Sequence, residues 1–468
     1  MTVATTKTIP EFTTRVLPAK AVKLEFTSKL EDDGFVATGA DKQWIEESRI
    51  QLRMNNCVGI PTETVYGLAA NALDESAVRS IYRAKSRPSD NPLIVHISSV
   101  HMLRSLYHLP AAEAEAEADT GRPFLGTDNA ESEGHEMREV ETKMRQAELH
   151  DIQNGGDGVW PEIPRAYHDV IRKFWPGPLT LVLPRPACIP MVVLGNHGDT
   201  VAFRFPEHPV ARAVISSCGL PLAAPSANAS GRPSPTSAAH VLHDLNGRLP
   251  LIVDGGDCDV GVESTVLDAF SSNAYVDGQQ LSPCILRPGG VTFEQLFALG
   301  GVWEKTRVYK KHFTSKELEL NPTTPGMKYR HYAPSVPVHV VLPTNAFAAA
   351  AAASEDKNTS AQQNDRHLAM QSHIDKLTKD IGDSGRLGVI AVRGPSGKMP
   401  EFTASSGCQL VVHYVDDAKH LAHSIFALLR LLDEIEHVDA ILVEGVDEAD
   451  EGMAVMNRLL KAATSHMF

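Results

Sequence analysis

Short apolar runs, flanked by Pro, Gly and small polar residues, dominate the chain between positions 56 and 287. They include NCVGI at 56–60, PLIVHI at 92–97, PLTLVL at 178–183, TVAFRF at 200–205 and CILR at 284–287. Runs of this length and flanking composition are typical of buried β-strands, whereas 76–84 and 208–218 have the apolar spacing of helices. Strands outnumber helices and several connections are short. The pattern therefore predicts an α/β fold built on a mixed, twisted sheet.

A second alternation of strands and helices follows position 336. It predicts strands at 338–342, 387–392, 410–415 and 440–444, and helices near 417–433 and 453–463. This order favours a smaller, Rossmann-like βα domain with a parallel sheet over residues 337–468. A linker with several Pro and Thr residues, 313–336, joins it to the first domain. The alanine run at 348–353 and the polar run that follows it to about residue 366 are predicted to be a disordered excursion.

The first domain is predicted to span residues 41–312, with two segments outside its regular pattern. Residues 1–40 are predicted to form a loosely ordered N-terminal tail. The stretch 111–165 is rich in acidic residues, and between Ala111 and Trp160 there are 13 Asp and Glu against 4 Lys and Arg. It is predicted to be an acidic insertion, partly helical or disordered, that loops out of this domain.

Charge and cysteine content restrict the classes of function. With a net charge of −14, the chain is not expected to hold nucleic acid by its overall field, so any RNA contact should be local or transient. Six cysteines without paired spacing fit a reducing compartment. No apolar run reaches the roughly 18–20 residues of a membrane span, and no signal peptide is visible. A cytoplasmic location without a membrane partner is predicted, with a mitochondrial pool as the alternative.

Five small polar segments lie at the ends of the predicted strands. They are PTETVYGL at 61–68, KSRPSDNPLIVH at 85–96, APSANASGRPS at 224–234, GVEST at 261–265 and RPGG at 287–290. Each alone is an ordinary turn former. Together they offer cationic and hydroxyl donors that neutralise and position a triphosphate, where open α/β sheets place ligands. No Cys/His zinc spacing is present, so no protein metal site is predicted.

These segments closely resemble the threonylcarbamoyl-AMP synthase family, whose members contain a YrdC-like domain. The resemblance lies in TETVYGL at 62–68, KxR at 85–87, PSANxSG at 225–231 and STV at 264–266. The linker sequence TPGMKYRHYAP at 324–334 resembles a marker of the longer, two-domain members. The likeness covers about residues 41–110, 165–336 and 337–468, so the tail and the acidic insertion lie outside it.

The resemblance implies a YrdC-like domain with a concave, positively charged cleft. There a nucleotidyltransferase joins L-threonine, bicarbonate or carbon dioxide, and ATP into L-threonylcarbamoyladenylate with release of pyrophosphate. It implies that Mg²⁺ is held through the ATP phosphates. It also implies that a separate machinery transfers the threonylcarbamoyl group to tRNA, at the adenosine next to the anticodon.

The resemblance also assigns roles to individual residues. At the reacting centre it places Lys85, Arg87, Ser226 and Asn228. It assigns ATP binding to Arg87, Asn91, Thr200, Ser226, Ser234, Arg287 and Tyr332. It assigns threonine binding to Thr64, His96, Arg204 and Ser264, with Arg204 as the partner of the substrate carboxylate.

Two other functions stay open at this stage. A non-catalytic RNA-binding protein could use the same basic cleft of a YrdC-like domain. A related enzyme could make a different carbamoyl-adenylate, but such relatives carry acylphosphatase-like and zinc-finger parts that this sequence lacks. The complete set of polar segments and the tyrosine-bearing linker favour the synthase.

Overall fold

The structure is a computed structural model that describes residues 12–19, 23–31, 34–39, 42–111, 130–153, 158–276, 280–320, 322–324, 331–343, 360–393 and 399–467. Its helices are α1 (Gln43–Arg53), α2 (Glu75–Lys85), α3 (Val100–Leu106), α4 (Ala130–Gln153), α5 (His168–Phe174), α6 (Pro209–Cys218), α7 (Ala238–Leu245), α8 (Phe293–Phe297), α9 (Lys316–Leu320), α10 (Ser360–Ile381), α11 (Ala418–Arg430) and α12 (Glu451–Ala462).

Its strands fall into two large sheets and two small hairpins. They are β1 (Arg15–Pro18), β2 (Lys23–Phe26), β3 (Phe35–Thr38), β4 (Val58–Ile60), β5 (Gly67–Asn71), β6 (Ile94–His96), β7 (Leu179–Pro184), β8 (Thr200–Arg204), β9 (Leu222–Ala223), β10 (Leu251–Asp254), β11 (Thr265–Asp268), β12 (Tyr275–Val276), β13 (Gln280–Leu281), β14 (Cys284–Arg287), β15 (Arg307–Val308), β16 (Val338–Val341), β17 (Arg386–Val392), β18 (Gln409–Val415), β19 (Ala440–Glu444) and β20 (Ser465–Met467).

The larger sheet has the strand order β1-β10-β4-β5-β9-β6-β8-β7-β11-β14-β15. Parallel and antiparallel neighbours alternate irregularly: β6 pairs parallel with β8 and antiparallel with β9. Apolar side chains such as Val95, Leu181 and Phe203 are buried in its core. The mixed α/β sheet predicted from the short apolar runs is confirmed.

The smaller sheet, ordered β18-β17-β19-β16-β20, is parallel throughout. It confirms the Rossmann-like βα fold predicted for the C-terminal part. The prediction of a disordered excursion reaching residue 366 is wrong from Ser360 onward, because α10 begins there and buries Met370 and Ile374. The first two turns of α10 are polar, so its apolar face is visible only from about residue 370. Residues 344–359 lie outside the described ranges.

The predicted loose tail is wrong for the described part of residues 1–40. Strand β1 pairs in parallel with β10 at the edge of the larger sheet, and β2 pairs with β3 as a hairpin. The guanidinium of Arg212 on α6 lies 3.8 Å from the ring centroid of Phe26, which fastens the hairpin to the domain. Strand β1 has only four residues, which is too short for an alternating pattern, and its partner β10 is distant in sequence. The hydrophobic pattern of the sequence therefore did not predict β1.

The described parts of the predicted acidic insertion are packed against the first domain. Helix α4 buries Val140 and Met144 and contacts α3. From Trp160 onward the chain is already in the main core, so the predicted boundary at 165 is too late. Residues 112–129 and 154–157 lie outside the described ranges.

A buried ion pair joins α3 to the end of this insertion. Arg104 Nε donates to Glu162 Oε2 at 2.6 Å, and Arg104 also pairs with Glu148 at 3.0 Å. The side chains of Arg104 and Glu162 are only 8% and 5% exposed, so the two charges neutralise each other away from water.

Replacing Glu162 with alanine should lower the free energy of unfolding by on the order of 3 kcal/mol, because the buried Arg104 loses its main counter-ion. Urea unfolding of the two proteins measures the difference. The control is Glu75→Ala, which removes an exposed pair with Arg79 and should cost about 0.5 kcal/mol or less. Equal losses in both variants would contradict this account.

Candidate active site

A cleft lies where the strand ends of the larger sheet face the linker. Its walls come from every one of the five polar segments found in the sequence and from the linker. The lining residues are Thr62, Val65, Gly67, Arg87, Ile94, His96, Arg204, Ala224, Pro225, Ser226, Glu263, Ser264, Arg287, His331 and Tyr332.

The turn between β4 and β5 forms one wall of the cleft. Thr62 Oγ1 accepts hydrogen bonds from the backbone N–H groups of Thr64 and Val65, each at 3.3 Å, which closes a local hydroxyl turn. Backbone bonds from Leu68 to Pro225 and from Ala227 to Tyr66 then join this turn to the segment after β9. Two segments far apart in sequence are therefore held at fixed separation.

Arg204, the last residue of β8, is buried behind this turn. Its Nη1 donates to Thr64 Oγ1 at 2.7 Å and its Nη2 to Glu63 Oε1 at 2.6 Å. Glu63 Oε2 accepts from the backbone N–H groups of Glu207 and His208. Arg204 is thus held rigidly, with its charge partly balanced, at the edge of the cleft.

The end of α2 directs Lys85 and Arg87 to different places. Ser86 adopts a left-handed conformation with φ of +52°, and the N–H of Arg87 returns to the carbonyl of Tyr82. Lys85 Nζ donates to the carbonyl oxygens of Ser226 and Asn228 and lies 3.4 Å from Asn228 Oδ1. Burial lowers the pKa of Lys85 well below its usual value. The lysine therefore supports the 226–228 segment from behind the cleft wall.

Arg87 lines the cleft instead. Its Nη2 donates to the carbonyl of Pro92 at 3.2 Å, while its buried Nε has no hydrogen-bond partner among the described residues. Burial lowers its pKa to about 10, so the guanidinium remains charged at neutral pH. A buried cation with an unsatisfied donor is suited to an anionic ligand.

Arg287 supplies a further cation from the end of β14. It donates through Nε and Nη2 to the carbonyl of Ser264, at 3.2 and 2.9 Å, and through Nη2 to Ser264 Oγ at 3.1 Å. Burial lowers its pKa to about 10. A Cβ atom at Gly289 would overlap the carbonyl of Glu263, so this close approach of two chain segments requires glycine.

Glu263, a cleft residue that the sequence analysis did not single out, is bonded on both carboxylate oxygens. Ser234 Oγ donates to Oε1 at 2.6 Å, and Arg458 Nε on α12 donates to Oε2 at 2.9 Å. Although burial alone would raise it, the charges of Arg458 and Arg287 hold the pKa of Glu263 at about 2. The position of Glu263 in the GVEST segment was the available signal, but nothing in the sequence marks Arg458 as its partner.

The linker closes the cleft from the side of the smaller sheet. Tyr332 has φ of +69°, and its ring centroid lies 5.3 Å from that of Phe426 on α11. Burial raises its pKa to about 12. The neighbouring His331 also lines the cleft, and its buried Nδ1 has no partner among the described residues. Burial lowers the pKa of His331 to about 3, so the ring is neutral.

The structure brings many of the predicted site residues into the cleft lining, namely Arg87, His96, Arg204, Ser226, Ser264, Arg287 and Tyr332. Others lie one hydrogen bond behind it: Lys85, Asn228, Ser234 and Thr64. Thr200 stands at the opposite end of β8 from Arg204, roughly 13 Å away at the usual rise of a strand. Asn91 is buried and is not part of the cleft lining. The roles of these residues stay predictions.

The described cleft lining offers no evident protein cage for a metal ion. Its carboxylate, Glu263, already has both oxygens bonded. Outside the cleft, His243, Asp244 and Glu434 bring ligand atoms within 4.8 Å of one another. Arg430 donates to both of those carboxylates, at 2.8 and 2.9 Å, so this group is better described as an ion-pair cluster between the two sheets.

The chain is therefore a two-domain α/β protein in which three buried arginines surround a pocket suited to an anion and a small polar ligand. None of the described helices is long and apolar enough to cross a membrane. A family model described as "Telomere recombination" matches residues 51–123 and 147–289. A second, described as "Threonylcarbamoyl-AMP synthase, C-terminal domain", matches residues 291–464.

Relatives of known name match over most of the chain. The threonylcarbamoyl-AMP synthase of Schizosaccharomyces pombe is 41% identical over 415 residues, covering 87% of this chain and 85% of the relative. That of Pyrococcus abyssi is 36% identical, covering 90% and 96%. The crystal structure of P. abyssi Sua5 complexed with L-threonine matches with a TM-score of 0.63 and 31% identity, covering 97% of this chain and 99% of that one. This chain belongs to the threonylcarbamoyl-AMP synthase family.

Acid should destabilise the protein through its buried neutral histidines. Burial, with the charge of Arg204, lowers the pKa of His96 from 6.5 to about 3. The unfolded chain therefore binds a proton below about pH 6.5 that the folded chain does not, and stability falls by up to about 1.4 kcal/mol per pH unit. His96→Gln should reduce this slope between pH 6 and 4, as measured by urea unfolding. Identical slopes in the wild-type and His96→Gln proteins would refute the assignment.

Proposed function

We propose that this chain synthesises L-threonylcarbamoyladenylate from L-threonine, bicarbonate and ATP and releases pyrophosphate, acting as a nucleotidyltransferase. The observation that carries the proposal is the convergence of Arg87, Arg204 and Arg287 with the hydroxyls of Ser226 and Ser264 in one buried cleft. Membership of the synthase family and the named relatives support it.

The chemistry requires two steps that balance. In the first, the amine of threonine attacks the carbon of bicarbonate with loss of water, or the carbon of carbon dioxide with loss of a proton, and either route gives N-carboxythreonine. In the second, a carbamate oxygen forms a bond to the α-phosphorus of ATP. The bond from that phosphorus to the β-bridging oxygen breaks, and pyrophosphate carries away the electron pair. Positioning and charge neutralisation supply most of the catalysis that such a transfer needs.

Arg87 and Arg287 are proposed to bind the ATP phosphates. Both are protonated at neutral pH and line the cleft together with Ser226, whose hydroxyl donates to Asn228 Oδ1 at 2.6 Å. Lys85 would act by holding the 226–228 segment through its carbonyl oxygens, and Asn228 by accepting the hydrogen bond of Ser226 within that segment. Tyr332 would cover the nucleotide, and the predictions for Asn91, Thr200 and Ser234 extend this proposed site.

The proposed threonine site is the end of the cleft nearest Arg204. The guanidinium is available to a substrate carboxylate while Glu63 and Thr64 hold it in place. His96 is neutral there and so adds no second positive charge beside the substrate amine. Ser264 Oγ, bonded to Thr180 Oγ1 at 2.7 Å, offers a positioned hydroxyl. The P. abyssi Sua5 structure was solved with L-threonine, which supports this choice of amino acid.

Mg²⁺ is proposed to accompany ATP and to be held by phosphate oxygens and water, since Glu263 is already engaged. The product would pass to a tRNA threonylcarbamoyl-transfer machinery, with any direct tRNA contact weak. A cytoplasmic location is proposed. The six cysteines are free and buried, which fits a reducing compartment.

Pyrophosphate release tests the activity directly. The purified protein with ATP, Mg²⁺, threonine and bicarbonate should release pyrophosphate and form an adenylate in equal amounts, measured by a coupled phosphate assay and mass spectrometry. Omitting threonine or bicarbonate should reduce release to the background rate. Release that is indifferent to either omission, or no release with all substrates present, would refute the proposed reaction.

Arg87→Met and Lys85→Met should separate a ligand contact from a supporting contact. Arg87→Met should raise the Kd for ATP by about tenfold or more, because a charge-assisted contact is lost, with a change in stability of about 1 kcal/mol or less. Lys85→Met should lower stability by about 1–3 kcal/mol, since it leaves the carbonyls of Ser226 and Asn228 unpaired. Calorimetric ATP titration and urea unfolding measure both. If both variants lost ATP binding equally without any loss of stability, the supporting role of Lys85 would be wrong.

A further inference from the structure

Arg458 reaches from the smaller domain to Glu263, a residue of the cleft lining. It lies on α12 and is 1% exposed. Its Nε donates to Glu263 Oε2 at 2.9 Å and its Nη1 to the carbonyl of Pro288. Its guanidinium carbon lies 5.9 Å from the centroid of the Tyr332 ring. One side chain of the second domain therefore touches the GVEST segment, the RPGG segment and the linker at once.

The contact with Glu263 continues to a residue predicted to bind ATP. Ser234 Oγ donates to the other oxygen of Glu263 at 2.6 Å. The orientation of the Ser234 hydroxyl depends on the position of Glu263, because the Glu263 carboxylate is its acceptor. The same position also sets the distance between this carboxylate and Arg287. Arg458 fixes Glu263 from the side away from Ser234, so a chain of hydrogen bonds runs from α12 to the cleft.

We infer that Arg458 is a positioning residue of the active site, through which the second domain sets the orientation of Glu263 and Ser234 for adenylate formation. The inference rests on the proposed function and deepens it. Arg458 does not line the cleft and so is not assigned a contact with substrate. On this basis the smaller domain contributes a residue that orients the active site, in addition to packing against the first domain.

The alternative is that Arg458 only stabilises the contact between the two domains. Arg430 on α11 provides the matched comparison, because it is also 1% exposed and also crosses between the domains. It binds Asp244, Glu434 and the carbonyl of Pro233, and none of these lines the cleft. Arg430→Met should therefore weaken the same domain contact without acting on a cleft carboxylate.

Steady-state kinetics of Arg458→Met, Arg458→Lys and Arg430→Met test the inference in the full-length protein. Arg458→Met should lower kcat about tenfold or more with KM values within about threefold, since positioning acts on the transition state. Arg458→Lys should recover part of the loss, and Arg430→Met should keep kcat within about threefold. Equal losses of kcat in Arg458→Met and Arg430→Met would overturn the inference.

The double variant Arg458→Met with Glu263→Gln separates positioning from folding. Removing Arg458 alone leaves a buried carboxylate without its closest counter-ion, and the double variant removes that charge as well. The melting temperature of the double variant should therefore exceed that of Arg458→Met, while kcat stays low. Recovery of kcat together with melting temperature would show that Arg458 is only structural, and would overturn the inference.

The pH profile gives a readout that a structural role would not move. Glu263 faces Arg458 and Lys461 on α12, Arg287 at the end of β14, and His331 and Tyr332 in the linker. Without Arg458 its carboxylate should take up a proton more readily. The acidic limb of kcat should then move upward by about one pH unit or more in Arg458→Met. An unchanged limb would count against the inference, whereas a wild-type protein without threonine-dependent pyrophosphate release would overturn the proposed function itself.

Discussion

The burial of several guanidinium groups at one end of a sheet is the constraint on which this structure depends. A buried charge is tolerated only when it is bonded to acceptors or paired with an opposite charge. Arg204 satisfies this rule with Glu63, and Arg458 satisfies it with Glu263. Arg287 does so with the carbonyl and hydroxyl of Ser264. The segments that provide these acceptors must therefore converge, and their convergence forms the cleft.

The same constraint explains why the two domains meet at the cleft. Val65, Val262 and Tyr332 from the cleft side share one apolar cluster with Phe426 on α11. A Cβ at Gly261 would overlap the carbonyl of His423, so the backbones of the two domains approach as closely as glycine allows. The side chains of this contact are buried, and a low-dielectric surrounding strengthens each ion pair within it. Packing of the smaller domain thus contributes to the electrostatics of the site.

The sequence predicted those features that depend on local pattern. The buried strands, the parallel C-terminal sheet and the polar segments at strand ends all follow from runs of a few residues. What it missed depends on contacts between distant segments. Strand β1 is defined by its pairing with β10, and Arg458 by its contact with Glu263. Likewise, the difference between Arg87 in the lining and Lys85 behind it arises from one left-handed residue, Ser86, that turns the chain between them.

The net charge of −14 at first sight conflicts with a cleft built for an anionic nucleotide. The short distance over which exposed charges act in salt solution removes this conflict. At physiological ionic strength the Debye length is about 8 Å, so exposed charges that lie farther than this from the cleft are largely screened from it. Within the cleft, Arg87, Arg204 and Arg287 face a single lining carboxylate among the described residues. All three arginines are buried, so salt screens their charges much less than it screens exposed charges. The local excess of positive charge, set by the side chains of the lining itself, therefore favours an anionic ligand in the cleft.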